Sequence, residues 1–219
     1  MENKNRFIAI NVLDLLTFVL MTIGISFSIF DIRFMGDFPR LSSLPIWMTF
    51  TGLSNIFIGL VCLACAIYRL VKKETVLPKI LFIIKIIALA DITITFLTTA
   101  LYLAPSIGAI WWRLYINNNI FNHFLTPLVA IITFILLEQR VETNWKECFY
   151  SLIPLAMYGV FYTINVYTHL TPEGETSLTY DIYGFCRFGV FVLILFMIGF
   201  GAVSFGLTLF YRVINMKKK

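Results

Sequence analysis

A threonine hydroxyl becomes a useful nucleophile only when a base removes its proton, and histidine is the common base because its pKa lies near working pH. The chain has two histidines in 219 residues. One of them, His123, stands where the asparagine-rich start of "YINNNIFNHFLTPLVAIITFILLEQR" turns apolar. A hydroxyl for it comes from "WMTFTGLSNIFIG", where Thr51 and Asn55 are one turn apart on a shared helical face, with Ser54 beside them. Asn55 or Asn122 would orient the imidazole or donate hydrogen bonds to an oxyanion. The plainer reading of a lone histidine near a helix mouth is an interfacial side chain bonded to a loop carbonyl.

Such a pair works only if the surrounding elements bring both residues to one depth. Hydrophobic residues make up 59% of the chain and charged residues 13%, far from the soluble norm. The apolar residues fall in runs of ~20 or more, long enough to cross ~30 Å of hydrocarbon. The expected fold is therefore all-α: one polytopic bundle of six transmembrane helices over residues 1–219. The spans run roughly over 7–30, 44–70, 77–104, 119–138, 148–168 and 185–211. The first, from Phe7 to Phe30, is too long for a signal-peptide core and lacks a small-residue cleavage site, so it reads as a retained span. Pro105, Gly108 and "TPEGETS" mark loops.

Basic residues set the expected orientation. Lys4, Arg6, Arg69, Lys72, Lys73, Lys79, Arg140, Lys146, Arg212, Lys217, Lys218 and Lys219 fall on one side. Arg33, Arg40, Arg113 and Arg187 fall on the other, so both termini are expected to face the cytoplasm. The net charge of +5 is mostly this signal, and cations split among short ends give a nucleic-acid partner little to hold. The second span then runs inward, with Thr51 ~10 Å below the outer surface at 1.5 Å per residue. The fourth also runs inward and places His123 about one turn below the same surface.

Ionisable groups inside a span are costly and usually face protein. Asp14 in the first span and Lys85 in the third both lie ~10–12 Å from the cytoplasmic start of their helices, so they are expected to form a structural ion pair. Asp91, deeper in the third span, shares a face with Thr95 and Thr98. That stripe either lines a cavity or supplies interhelical hydrogen bonds. Cys62 and Cys65 spell CxxC within an apolar helix and read as small packing residues. Cys148 and Cys186 belong near opposite faces, so no disulfide is expected between them. Two histidines without an acidic partner at ligand spacing make a metal site unexpected, and no cofactor is implied.

The same residues carry a family resemblance. A Thr and an Asn in the second span ("FTGLSNIF"), His then Pro opening the fourth ("NHFLTPLVAIITFILLE"), Trp145 followed by "PLAMY", and "YDIYGF" before the last span occur in this order. In this the chain resembles the six-helix family of the androgen-induced and androgen-dependent TFPI-regulating proteins and their bacterial relatives. The resemblance implies an intramembrane threonine hydrolase acting on fatty acid esters of hydroxy fatty acids, with Thr51 as nucleophile and His123 as base. Thr49 is a second threonine in the motif. Ser54 stands where the family pattern has an acid or amide, with Asn55 one residue later, and Pro127 falls closer to His123 than in the animal members. On this reading Arg187, two residues into the sixth span, clamps a substrate carboxylate, or else snorkels to headgroups. Tyr180, Asp181 and Tyr183 form a lid or supporting shell. Trp111 and Trp112 read as an aromatic belt.

The expected partners are thus membrane lipids or a fatty-acyl substrate, and the expected place is the membrane, the cell membrane in a bacterium. A different class stays open: a small transporter or lipid-binding protein using Asp14, Lys85 and Asp91. Transporters of this size usually show an internal repeat or broken mid-membrane helices, and the sequence shows neither.

Overall fold

In the computed structural model, residues 2–36, 44–177 and 179–218 are described; Arg40 and Lys219, both used to orient the chain, lie outside them. The described residues are helical and loop, without strands. Six helices are long and apolar enough to cross a membrane, which makes this an integral membrane protein. They are α1 (Glu2–Ile29), α2 (Phe50–Lys72), α3 (Lys79–Ser106), α4 (Asn118–Leu137), α5 (Trp145–Tyr167) and α6 (Val190–Met216). α3 is the hub: 67% of its most apolar window is buried, against 11% for α6, which lies at the lipid-facing edge. Both chain ends meet at one end of the bundle. Arg6 donates to the carbonyls of Leu137 and Glu138 (3.0 and 3.2 Å), and Lys218 donates to those of Phe134 and Glu138 (2.7 and 2.8 Å).

Several boundaries differ from expectation: α1 already starts at Glu2 rather than 7 and α6 ends at Met216 rather than 211. α2 starts at Phe50 rather than 44, because Thr49 caps it: its hydroxyl oxygen accepts from the Gly52 N–H at 3.0 Å. α3 runs through Pro105 to Ser106, so that proline is no loop marker; a π-turn over Thr99–Leu103 precedes it and makes room for its ring. α6 starts at Val190 rather than 185. Gly184 and Gly189 adopt positive φ (69° and 86°), which closes a loop that a continuous helix could not form.

Asp14 and Lys85 meet as expected, but within a larger group. Lys85 Nζ lies 2.9 Å from Asp14 Oδ1 and 2.7 Å from Glu138 Oε2. Arg69 lies 2.6 Å from Asp14 Oδ2 and 2.5 Å from Glu138 Oε1. Each cation bridges both anions, so α1, α2, α3 and the end of α4 are tied by a closed, neutral ring whose side chains are all 1% exposed or less. Arg69, counted at first only as a surface cation, is one of its corners. A ring of this kind repays desolvation only when complete.

At the opposite end of the bundle, polar contacts replace ions. Ser54 Oγ and Thr95 Oγ1 join α2 to α3 at 2.7 Å. Nearer the termini, Thr93 and Tyr211 hydroxyls join α3 to α6 at 2.7 Å. The threonine stripe of α3 therefore makes interhelical bonds, as hydroxyls in membranes commonly do, while Thr95, Thr98 and Thr99 also border a cavity. All four cysteines are free and buried.

Candidate active site

α4 is irregular where the chemistry would sit. A π-turn spans Phe121–Leu125, with the Thr126 N–H bonding the Phe121 carbonyl. Pro127 follows and brings no N–H, so a carbonyl in this turn goes without a helical partner. Asn55 of α2 supplies one: its amide donates to the Asn122 carbonyl at 2.9 Å and to the Thr51 carbonyl at 2.8 Å. Both amide hydrogens are thereby used. Asn55 is a clamp between α2 and α4, its amide hydrogens held by carbonyls of Thr51 and Asn122.

The clamp sets Asn122 and His123 on different sides of α4. Asn122 packs onto α1, where a Cβ on Gly24 would fall 2.4 Å from its Oδ1, and its amide donates to Ser28 Oγ at 3.2 Å. His123, 7% exposed, turns its ring toward the loop before α4, with Nδ1 at 2.9 Å from the Leu114 carbonyl. A carbonyl only accepts, so Nδ1 carries the proton and Nε2 keeps its lone pair. The bland expectation of a loop-carbonyl contact is met, and it leaves the ring in the tautomer a general base requires.

Thr51, His123, Asn122 and Tyr183 line one cavity of about 250 Å³. Thr51 sits in the first turn of α2, at the mouth rather than two turns down, because the helix begins later than expected. His123 is likewise near the mouth of its helix, so the shared depth holds. Among the described residues no hydrogen bond joins Thr51 to His123; both line the same cavity. Burial pushes the Tyr183 phenol up, opposed by the neighbouring polar groups of Thr51, Tyr158 and Phe50. The Phe50 N–H reaches the phenol oxygen at 3.2 Å. Thr49 is occupied on both counts, donating to the Ile46 carbonyl at 2.8 Å while accepting from Gly52.

A second, apolar cavity of about 50 Å³ adjoins the first, walled by Phe50, Ile94, Leu155, Gly159, Met197 and Phe200. Thr51, Leu103 and Tyr183 line both. Thr51 thus stands at the boundary between a cavity of mixed polar and apolar lining and a greasy one.

The loop before α6 holds Tyr183 in place. Asp181, 2% exposed, accepts from the Tyr162 hydroxyl and from the amides of Cys186 and Arg187 (3.2 and 3.0 Å). Its carboxylate bonds the loop and lines neither cavity. Tyr180 stacks on His169 at 4.0 Å. Arg187 belongs to this loop and not to the sixth span; it is exposed, lies 4.6 Å over the Phe188 ring and lines neither cavity. The residue expected as a carboxylate clamp thus stands outside both cavities. Sequence reading missed Tyr158, although it is the last residue of the "PLAMY" motif.

Scans against protein-family models, curated proteins and solved structures each find no match for this chain. Among the described residues no group of three or more His, Cys, Asp or Glu side chains is placed to hold a metal ion.

Proposed function

We propose that this protein is an intramembrane lipid-ester hydrolase in which Thr51 is the nucleophile and His123 the base. The observation that carries the reading is the position of Thr51, between an apolar pocket and a cavity of mixed lining that includes a buried histidine with a free Nε2. An ester of a long-chain acid would lay its hydrocarbon in the apolar pocket and its carbonyl at Thr51. His123 Nε2 accepts the hydroxyl proton, Thr51 Oγ bonds to the carbonyl carbon, and the alcohol departs with the proton that His123 returns. Water then enters from the mixed cavity, gives its proton to His123 and releases the acid and the threonine hydroxyl. Tyr183 lines the same cavity as Thr51, and the Thr51 hydroxyl must turn toward His123 as the substrate seats.

The sequence resemblance supports the same chemistry and extends it to fatty acid esters of hydroxy fatty acids. The basic-residue bias supports a bundle with both termini in the cytoplasm. A transporter built on Asp14 and Lys85 has less to draw on, because both are locked in the neutral ring. Ester turnover by purified protein tests the proposal. Thr51→Ala and His123→Ala should each lower it by at least ~10²-fold, and the double variant should be no worse than either. Thr49→Ala should keep its activity at a stability cost of about 1 kcal/mol for the lost cap. Full turnover in His123→Ala would refute the reading.

A further inference from the structure

The apolar cavity beside Thr51 holds about 50 Å³. At roughly 10–15 Å³ for each water-sized group, that is room for ~4 methylenes. The hydrocarbon of a long-chain ester is several times longer, so it must pass through a wall of the cavity.

Most of the wall is stiff. Phe50 packs on Tyr158 with ring centroids 5.2 Å apart, and Phe185 packs on Phe200 at 5.5 Å. The α3 side belongs to the buried hub of the bundle. Met197, on α6, is different. It is half-buried, and its tip rests in a notch left by the buried Gly159 of α5. A Cβ on Gly159 would stand 1.9 Å from Met197 Cε and 2.8 Å from its Sδ, so the methionine lies there only because the facing residue is glycine. Methionine is unbranched, with three rotatable bonds, and adapts to gaps more readily than any ring. Lipid lies just beyond it. The next residue on each helix, Val160 on α5 and Ile198 on α6, is exposed.

We infer that Met197 sets the acyl length the site accepts: seated on Gly159 it closes the seam between α5 and α6 behind a short chain, and swung out of the notch it lets a long chain run on into the bilayer. The inference rests on the hydrolase reading for the acyl group delivered to Thr51, while the gate itself stands on the Gly159–Met197 contact.

Turnover of the hexadecanoyl and butanoyl esters of p-nitrophenol by the purified full-length protein tests it, read as the long-to-short ratio of kcat/KM. Met197→Ala empties the notch and should raise that ratio by at least ~10-fold. Met197→Ile puts a β-branched side chain there, which is stiff at χ1 in a helix, and should lower the ratio by a similar factor. A ratio that either variant leaves unchanged overturns the inference, and it does so without touching the roles of Thr51 and His123. If the protein turns over neither ester, the hydrolase reading fails and photolabelling decides the gate. Hexadecanoic acid carrying a terminal diazirine should label α5 or α6 beside Met197 in the membrane-embedded wild type. Excess hexadecanoic acid should suppress that adduct, and Met197→Ile should lose it. A wild type without a suppressible adduct at this seam, or an adduct undiminished in Met197→Ile, overturns the gate.

Discussion

Thr49 and Thr51 are two residues apart and differ in what their hydroxyls are free to do. Thr49 closes the start of α2 with both its proton and its lone pair, while Thr51 lines both cavities. The sequence offered both and had no means to rank them, because a cap becomes visible only when the helix start is known. The ion ring shows a similar limit. Asp14 and Lys85 were legible as partners because both sit deep in spans that start on one side. Arg69 and Glu138 sit at span ends, where a charge is cheap and usually solvated; nothing in apolar patterning says that they turn inward. Their side chains are fully buried, so Arg69→Met should cost ~3–5 kcal/mol by leaving two carboxylates to share Lys85. Thermal unfolding in detergent measures it, and Asp14→Asn added to Arg69→Met should recover part of the loss. Additive losses would mean that the two side chains do not interact.

Among the elements, α3 and α4 share one device. Each has a π-turn before a proline, Thr99–Leu103 before Pro105 and Phe121–Leu125 before Pro127, and each turn faces a cavity. The prolines were legible; the extra residue per turn was not, since apolar periodicity over five residues cannot separate an α-turn from a π-turn. The loop ahead of α6 was read as helix because 185–189 is mostly apolar, and only Asp181 turning back onto the amides explains why it is not. That loop carries its own reporter. Burial and then the Asp181 carboxylate push the Cys186 thiol up to about 11. In a protein with Cys62, Cys65 and Cys148 changed to alanine, alkylation of Cys186 should be slow at pH 7 and rise about tenfold per pH unit as the thiolate forms. Asp181→Asn should speed it at pH 7 by removing the carboxylate and loosening the loop. A rate at pH 7 equal to that of a free thiol would contradict the packed loop.

At the scale of the whole molecule, the bundle divides its labour between its ends. The end with both termini is held by ions and by basic side chains on helix carbonyls, and the other end holds the two cavities that Thr51 lines, the π-turns and the polar loops. Six spans and their order were legible because apolar run length is set directly by bilayer thickness. The sharing of Thr51 and Tyr183 by two cavities was not, since it depends on how α2, α3, α5 and a loop meet. If the termini face the cytoplasm, a cysteine placed at Lys218 should resist an impermeant reagent on intact cells, while one at Glu175 should react. The reverse pattern would invert the bundle and put the cavities on the cytoplasmic side. The central claim, that Thr51 is a nucleophile activated by His123, is tested most directly by treating the protein in its membrane with a fluorophosphonate and mapping the adduct by peptide mass spectrometry. The adduct should fall on Thr51 and disappear in His123→Ala. An adduct on Thr49, or on Thr51 with undiminished yield in the absence of His123, would contradict it.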